Sequence, residues 1–78
     1  MKRKWQDFVV IEPDLHHGEA CIKGTRIPVT MIVGSLADGM TEGEIIAEYP
    51  QLNTEHIQAA LAYAADVLRG EFILPLSV

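Results

Sequence analysis

The sequence predicts a small, mainly helical domain: a short N-terminal β-strand pair followed by a three-helix, helix-turn-helix bundle. Three observations carry that expectation. Two short β-branched or apolar runs near the N-terminus are separated by turn-forming residues. Three stretches with helically spaced apolar residues follow, each with a start or stop signal at its ends. The second and third of these are separated by a turn of about four residues, the spacing of a helix-turn-helix. The chain has 78 residues, short of the roughly 100–150 typical of one domain, so it reads as a single domain over 1–78. Within it, residues 8–23 hold the strands, 28–70 the helices and 71–78 an apolar tail.

The first strand is expected at Phe8-Val9-Val10-Ile11, ended by Glu12-Pro13-Asp14, and the second at Ala20-Cys21-Ile22-Lys23, ended by Gly24-Thr25. Two strands alone are marginal in water, so the pair must pack on helices or on a second copy. Pro28 suits the first turn of a helix, where a missing N–H costs nothing. Val29, Ile32, Val33 and Leu36 then recur at helical spacing up to the stop at Asp38-Gly39. Thr41 and Glu44 match a capping box, with Met40 and Ile45 placed as its hydrophobic staple. That second helix carries Ile45, Ile46 and Tyr49 and ends before Pro50, whose ring disfavours helical backbone in the preceding residue. Asn53 or Thr54 caps the third helix, and Asn53 would also bring Leu52 and Ile57 into staple positions. Ile57, Leu61, Ala64 and Leu68, with Ala60 and Val67 beside them, give it the strongest periodicity in the chain and an expected core face. Arg69 and Gly70 supply the C-terminal charge and stop.

Hydrophobic residues make up 49% of the chain and charged ones 22%, which predicts a folded globular chain rather than disorder. No apolar run reaches the ~18 residues a membrane span needs, and the basic start leads into Trp5-Gln6-Asp7 rather than a signal core, so a cytoplasmic protein without a membrane partner is expected. One cysteine, Cys21, excludes an internal disulfide and a multi-cysteine metal site. Small domains without such staples often rely on partners, and a homo-oligomer is expected.

The charge is uneven. Of six bases, Lys2, Arg3 and Lys4 lie at the start; from Trp5 onward Lys23, Arg26 and Arg69 stand against all eleven acids, a balance of −8. Phosphate neutralisation carries most nucleic-acid affinity, so this body is a poor non-specific DNA binder and suits a basic protein partner better.

The run Ile22-Lys23-Gly24-Thr25-Arg26-Ile27-Pro28-Val29, then Gly39-Met40-Thr41 with Glu44-Ile45, Tyr49-Pro50-Gln51-Leu52, and Ile57-Gln58-Ala59-Ala60-Leu61-Ala62-Tyr63-Ala64 resembles the bacterial and archaeal family catalogued as domain of unknown function 433. The resemblance covers roughly residues 8–68. It implies a homeodomain-like helix-turn-helix fold and, as for many members, an antitoxin of the VapB type: a protein that neutralises a PIN-like ribonuclease toxin and autoregulates its operon. It supplies no catalytic residue. The alternative is a dimeric helix-turn-helix transcriptional regulator.

Gly24-Thr25-Arg26-Ile27-Pro28 reads either as a contact loop, with Arg26 reaching a partner's carboxylates, or as a plain strand-to-helix turn with Arg26 paired to an acid of its own chain. A PIN-like site is an acidic metal-binding cluster, which a guanidinium would suit. The tail residues Phe72, Ile73, Leu74 and Leu76 form a second candidate contact, as an extended segment in a partner's groove or as a clasp on the chain's own helices. Should the third helix enter a major groove, it would present Thr54, Glu55, His56, Gln58 and Tyr63, with Gln58 able to read adenine and Lys2, Arg3 and Lys4 able to serve as a basic arm. From Asp38 to Glu71, however, seven acids face the single base Arg69, so DNA is expected mainly as a target of a complex. His16 and His17, near Asp14, Glu12 and Glu19, lack zinc-ligand spacing and read as a polar turn. No nucleophile is paired with a base, and neither a phosphate-cradling nor a dinucleotide motif occurs, so no enzyme and no cofactor or metal is expected.

Overall fold

Two short apolar segments near the N-terminus pair at the start of the fold. The computed structural model describes residues 4–12 and 18–70. A 3₁₀ turn at Trp5–Asp7 leads into strand β1 (Val9–Ile11), which pairs antiparallel with β2 (Ala20–Ile22) in the register Val9 with Ile22, Val10 with Cys21 and Ile11 with Ala20. Each expected strand is one residue shorter: Phe8 closes the 3₁₀ turn and Lys23 already belongs to the turn after β2. Every residue of β2 is buried, whereas β1 runs from the buried Val9 to the exposed Ile11. β2 is therefore the strand that seats the pair on the helices.

Three helices follow: α1 (Val29–Ala37), α2 (Glu42–Glu48) and α3 (Thr54–Arg69). Pro28 stands one residue ahead of α1 rather than within its first turn. Its backbone is extended (φ −73°, ψ 148°) and bridges to Cys21, so it continues the sheet's geometry until Val29 starts the helix. At α2 the capping box forms: the Thr41 hydroxyl accepts from the Glu44 N–H at 3.1 Å, and the Glu44 carboxylate accepts from the Thr41 N–H at 2.8 Å. Met40 packs against the core. The α2–α3 turn is pinned by Leu52, buried, whose N–H donates to the Tyr49 carbonyl at 2.9 Å. Gly70 ends α3 in the left-handed conformation (φ 73°) that favours glycine.

Ile22, Ile32, Ile45 and Ile57 are the largest fully buried side chains, one each from β2, α1, α2 and α3. Each contributes roughly 1.5–3 kcal/mol of transfer free energy, so the helix-turn-helix and the hairpin share one core. On α3 the core face differs from the expected one. Ile57 and Ala60 are buried, together with Ala59, and Tyr63 packs beside them; Leu61 and Leu68 are 41% and 88% exposed. The reason is Trp5. Its indole N–H donates to Asp66 Oδ2 at 2.6 Å and its ring meets Tyr63 edge-on at 4.9 Å, so the 3₁₀ turn covers the Tyr63–Asp66 side and leaves the leucine side open.

Candidate partner-binding surface

The residues from Ile22 to Val29 build a loop whose backbone is fixed by hydrogen bonds and whose Arg26 side chain is exposed. Gly24 adopts φ +80°, the left-handed conformation that a turn can demand at its third position and that other residues resist. Around it the Thr25 N–H donates to the Ile22 carbonyl at 3.0 Å, closing the turn. The Thr25 hydroxyl donates to the same carbonyl at 2.8 Å and accepts from the Ile27 N–H at 3.0 Å. The Ile22 N–H in turn donates to the Ile27 carbonyl at 3.0 Å, and the Lys23 N–H to that of Phe8 at 2.7 Å. Ile27 and Val29 are buried, so the far side of the loop is anchored in the core. The Gly-Thr-Arg-Ile-Pro segment is thus a clamp with Arg26 at its tip.

Arg26 is exposed and makes no ion pair among the described residues. Of the two readings that the sequence leaves open, pairing with an acid of the same chain does not occur among these residues. Lys23, on the same turn, is exposed as well. Two cations on one rigid turn, in an acidic body, make a positive point suited to carboxylate or phosphate oxygens. Beside the loop, Glu19 is engaged by the Thr30 hydroxyl at 2.8 Å. Cys21 behind it is buried; desolvation, then the charges of Glu19 and Glu12, push its thiol pKa up and keep it neutral.

The groove-reading set separates into two groups. Thr54 and Gln58 are exposed on α3. His56 is not presented: its N–H donates to Asn53 Oδ1 at 3.0 Å, its Nδ1 accepts from the Asn53 N–H at 3.1 Å, and its ring meets Phe8 edge-on at 5.8 Å. A histidine at the third helical position here does the work that the usual glutamate or glutamine does in a capping box. Tyr63 is held against Trp5, and Glu55 is half-buried. Arg69, the base nearest the helix end, contacts Asp66 Oδ1 at 2.7 Å. Lys4 is exposed at the start of the 3₁₀ turn. Lys2, Arg3, the pair His16 and His17, and the tail residues Phe72, Ile73, Leu74 and Leu76 lie outside the described residues. Among the described residues no group of three or more His, Cys, Asp or Glu side chains is placed to hold a metal ion, and no helix is long and apolar enough to cross a membrane.

The fold and the clamp define a hairpin-led helix-turn-helix domain with an arginine-tipped loop. Residues 9–64 match the sequence model of the family described as "Protein of unknown function (DUF433)", and the chain belongs to that family. It is similar to the "Uncharacterized protein y4eO" of Sinorhizobium fredii, 35% identical over 66 residues that make up 83% of this chain and 30% of that protein. It is also similar to a DUF433 member protein from Anabaena variabilis, seen in a crystal structure at 2.00 Å, with a TM-score of 0.74 and 36% identity over 78% of this chain and 60% of that one. The chain therefore spans less than two thirds of either relative.

Proposed function

We propose that this chain is an antitoxin-like protein-binding module, which neutralises a PIN-like ribonuclease by placing Arg26 against the acidic, metal-binding residues of the nuclease site. The observation that carries this reading is the clamp: an exposed guanidinium without an ion pair among the described residues, on a backbone held by four hydrogen bonds between Ile22, Thr25 and Ile27. Preorganisation of this kind lowers the entropy lost on binding, and a guanidinium can meet a carboxylate through two parallel hydrogen bonds. The domain works without catalysis or cofactor, in the cytoplasm.

A dimeric DNA-binding regulator is the second reading, favoured by the exposure of Thr54 and Gln58 on the second helix of the helix-turn-helix. Charge weighs against it as an activity of this chain alone. Autoregulation would then belong to the complex, with the partner supplying the phosphate contacts.

The test is to seek a PIN-like ribonuclease gene beside that of this chain and to measure inhibition of its product's RNA cleavage by the full chain and its Arg26→Ala and Arg26→Lys variants. Inhibition by the wild type, a loss of at least about tenfold in Arg26→Ala and partial recovery in Arg26→Lys are expected. Undiminished inhibition by Arg26→Ala, or the lack of any inhibition by the wild type, overturns the reading. A sequence-selective mobility shift of promoter DNA by the chain alone at physiological salt favours the regulator instead.

A further inference from the structure

Along α3, Thr54, Gln58, Leu61, Ala65 and Leu68 follow one another at spacings of four, three, four and three, the repeat of a helix-pairing seam. All lie on one side of the helix, and all but the half-buried Ala65 are exposed. The core formed by the described residues does not use that side, which carries two of the three large exposed apolar residues among them. Its apolar part, Leu61-Ala62-Tyr63-Ala64-Ala65-Asp66-Val67-Leu68, reads the same in both directions at the positions that matter: a leucine, two residues, two alanines, two residues, a leucine. A two-fold axis between Ala64 and Ala65 of two antiparallel helices would set each Leu61 opposite the other copy's Leu68, with the small alanines at the crossing letting the backbones come close. Isologous contacts require such self-complementarity.

Charge points to the same occupant. A chain of net charge −5 is repelled by its own copy over most of its surface. The seam carries no acid: Glu55 and Asp66, the two acids of α3, lie about 100° or more around the helix from its centre, and Asp66 is turned to Trp5 and Arg69. We propose that this face of α3 pairs antiparallel with the same face of a second copy, Leu61 against Leu68. The contact is one helix pair overlapping over residues 60–69, about 14 Å long, small beside the interfaces of obligate dimers, so association depends on concentration.

Sedimentation velocity of the full chain between about 5 and about 500 μM tests this, with dissociation in the tens of micromolar expected for an interface of that size. Leu68→Glu, at the most exposed position, should weaken dimerisation at least about tenfold while leaving the thermal midpoint within a few degrees. The double variant Leu61→Lys with Leu68→Glu should recover most of that loss, because antiparallel pairing sets each lysine opposite a glutamate. A wild type that stays monomeric throughout, a Leu68→Glu variant that dimerises as tightly as the wild type, or a double variant as weak as Leu68→Glu overturns the proposal. So does a Leu68→Glu variant that loses stability with its association unchanged, which would mean that the chain's own C-terminal residues cover the seam. None of these readouts involves Arg26, so they stand or fall apart from nuclease inhibition.

Discussion

Replacing Thr25 by valine keeps the shape of the side chain and removes the hydroxyl that ties the clamp together. Two hydrogen bonds go: the donation to the Ile22 carbonyl at 2.8 Å and the acceptance from the Ile27 N–H at 3.0 Å. The losses are unequal. The Ile22 carbonyl keeps the Thr25 N–H as a donor, so it remains satisfied. The Ile27 N–H has no replacement in a residue that is only 6% exposed, and an orphaned buried donor costs about 1–3 kcal/mol. The structure thus sets the expected loss at about 2 kcal/mol, nearly all from one N–H, with a fall of roughly 8–15 °C in thermal midpoint for a domain of this size. Urea titration followed by Trp5 fluorescence measures it, and Thr25→Ser, which restores the hydroxyl, should recover more than half. A Thr25→Val chain within about 0.5 kcal/mol of the wild type would refute the reasoning, since the clamp would then be held by its turn and its anchors alone.

The two caps of the helix-turn-helix invite parallel tests: Thr41→Ala and Asn53→Ala should each lower stability by about 1 kcal/mol, read from urea midpoints. Trp5→Phe keeps most of the apolar contact and loses the bond to Asp66, so a loss of about 1–2 kcal/mol is expected by the same titration followed by circular dichroism, with little further effect of Asp66→Asn in that background. Cys21, buried with its thiol pKa raised, should react with an aromatic disulfide reagent orders of magnitude more slowly than a free thiol at neutral pH, and at the free rate in denaturant; fast labelling of the native chain would contradict its placement behind the loop.

Local signals carried most of the secondary structure. The Thr41–Glu44 box, the proline after Tyr49 and the glycines at 39 and 70 act within a few residues, so the sequence displays them directly. What it hides depends on contacts distant along the chain. Leu61 and Leu68 carry the periodicity of a core face, yet whether such a stripe faces in or out depends on where Trp5 lands, and Trp5 is 61 residues from Asp66. His56 has a side chain long enough to reach back to the Asn53 N–H, but nothing in its type distinguishes a cap from a contact. Arg26 could be singled out as a contact residue from the Gly-Thr-Arg-Ile-Pro pattern; its lack of an ion pair among the described residues is a property of the folded surroundings alone.

The bond between Trp5 and Asp66 also orders events in time. A contact that closes so long a loop bears a large share of chain-closure entropy, whereas the helices and their caps form from neighbours. The acceptor of the indole N–H lies on α3, 61 residues away, so this bond forms only when the 3₁₀ turn and α3 are brought together in the folded domain. Its fluorescence then reports completion of the domain rather than formation of its helices.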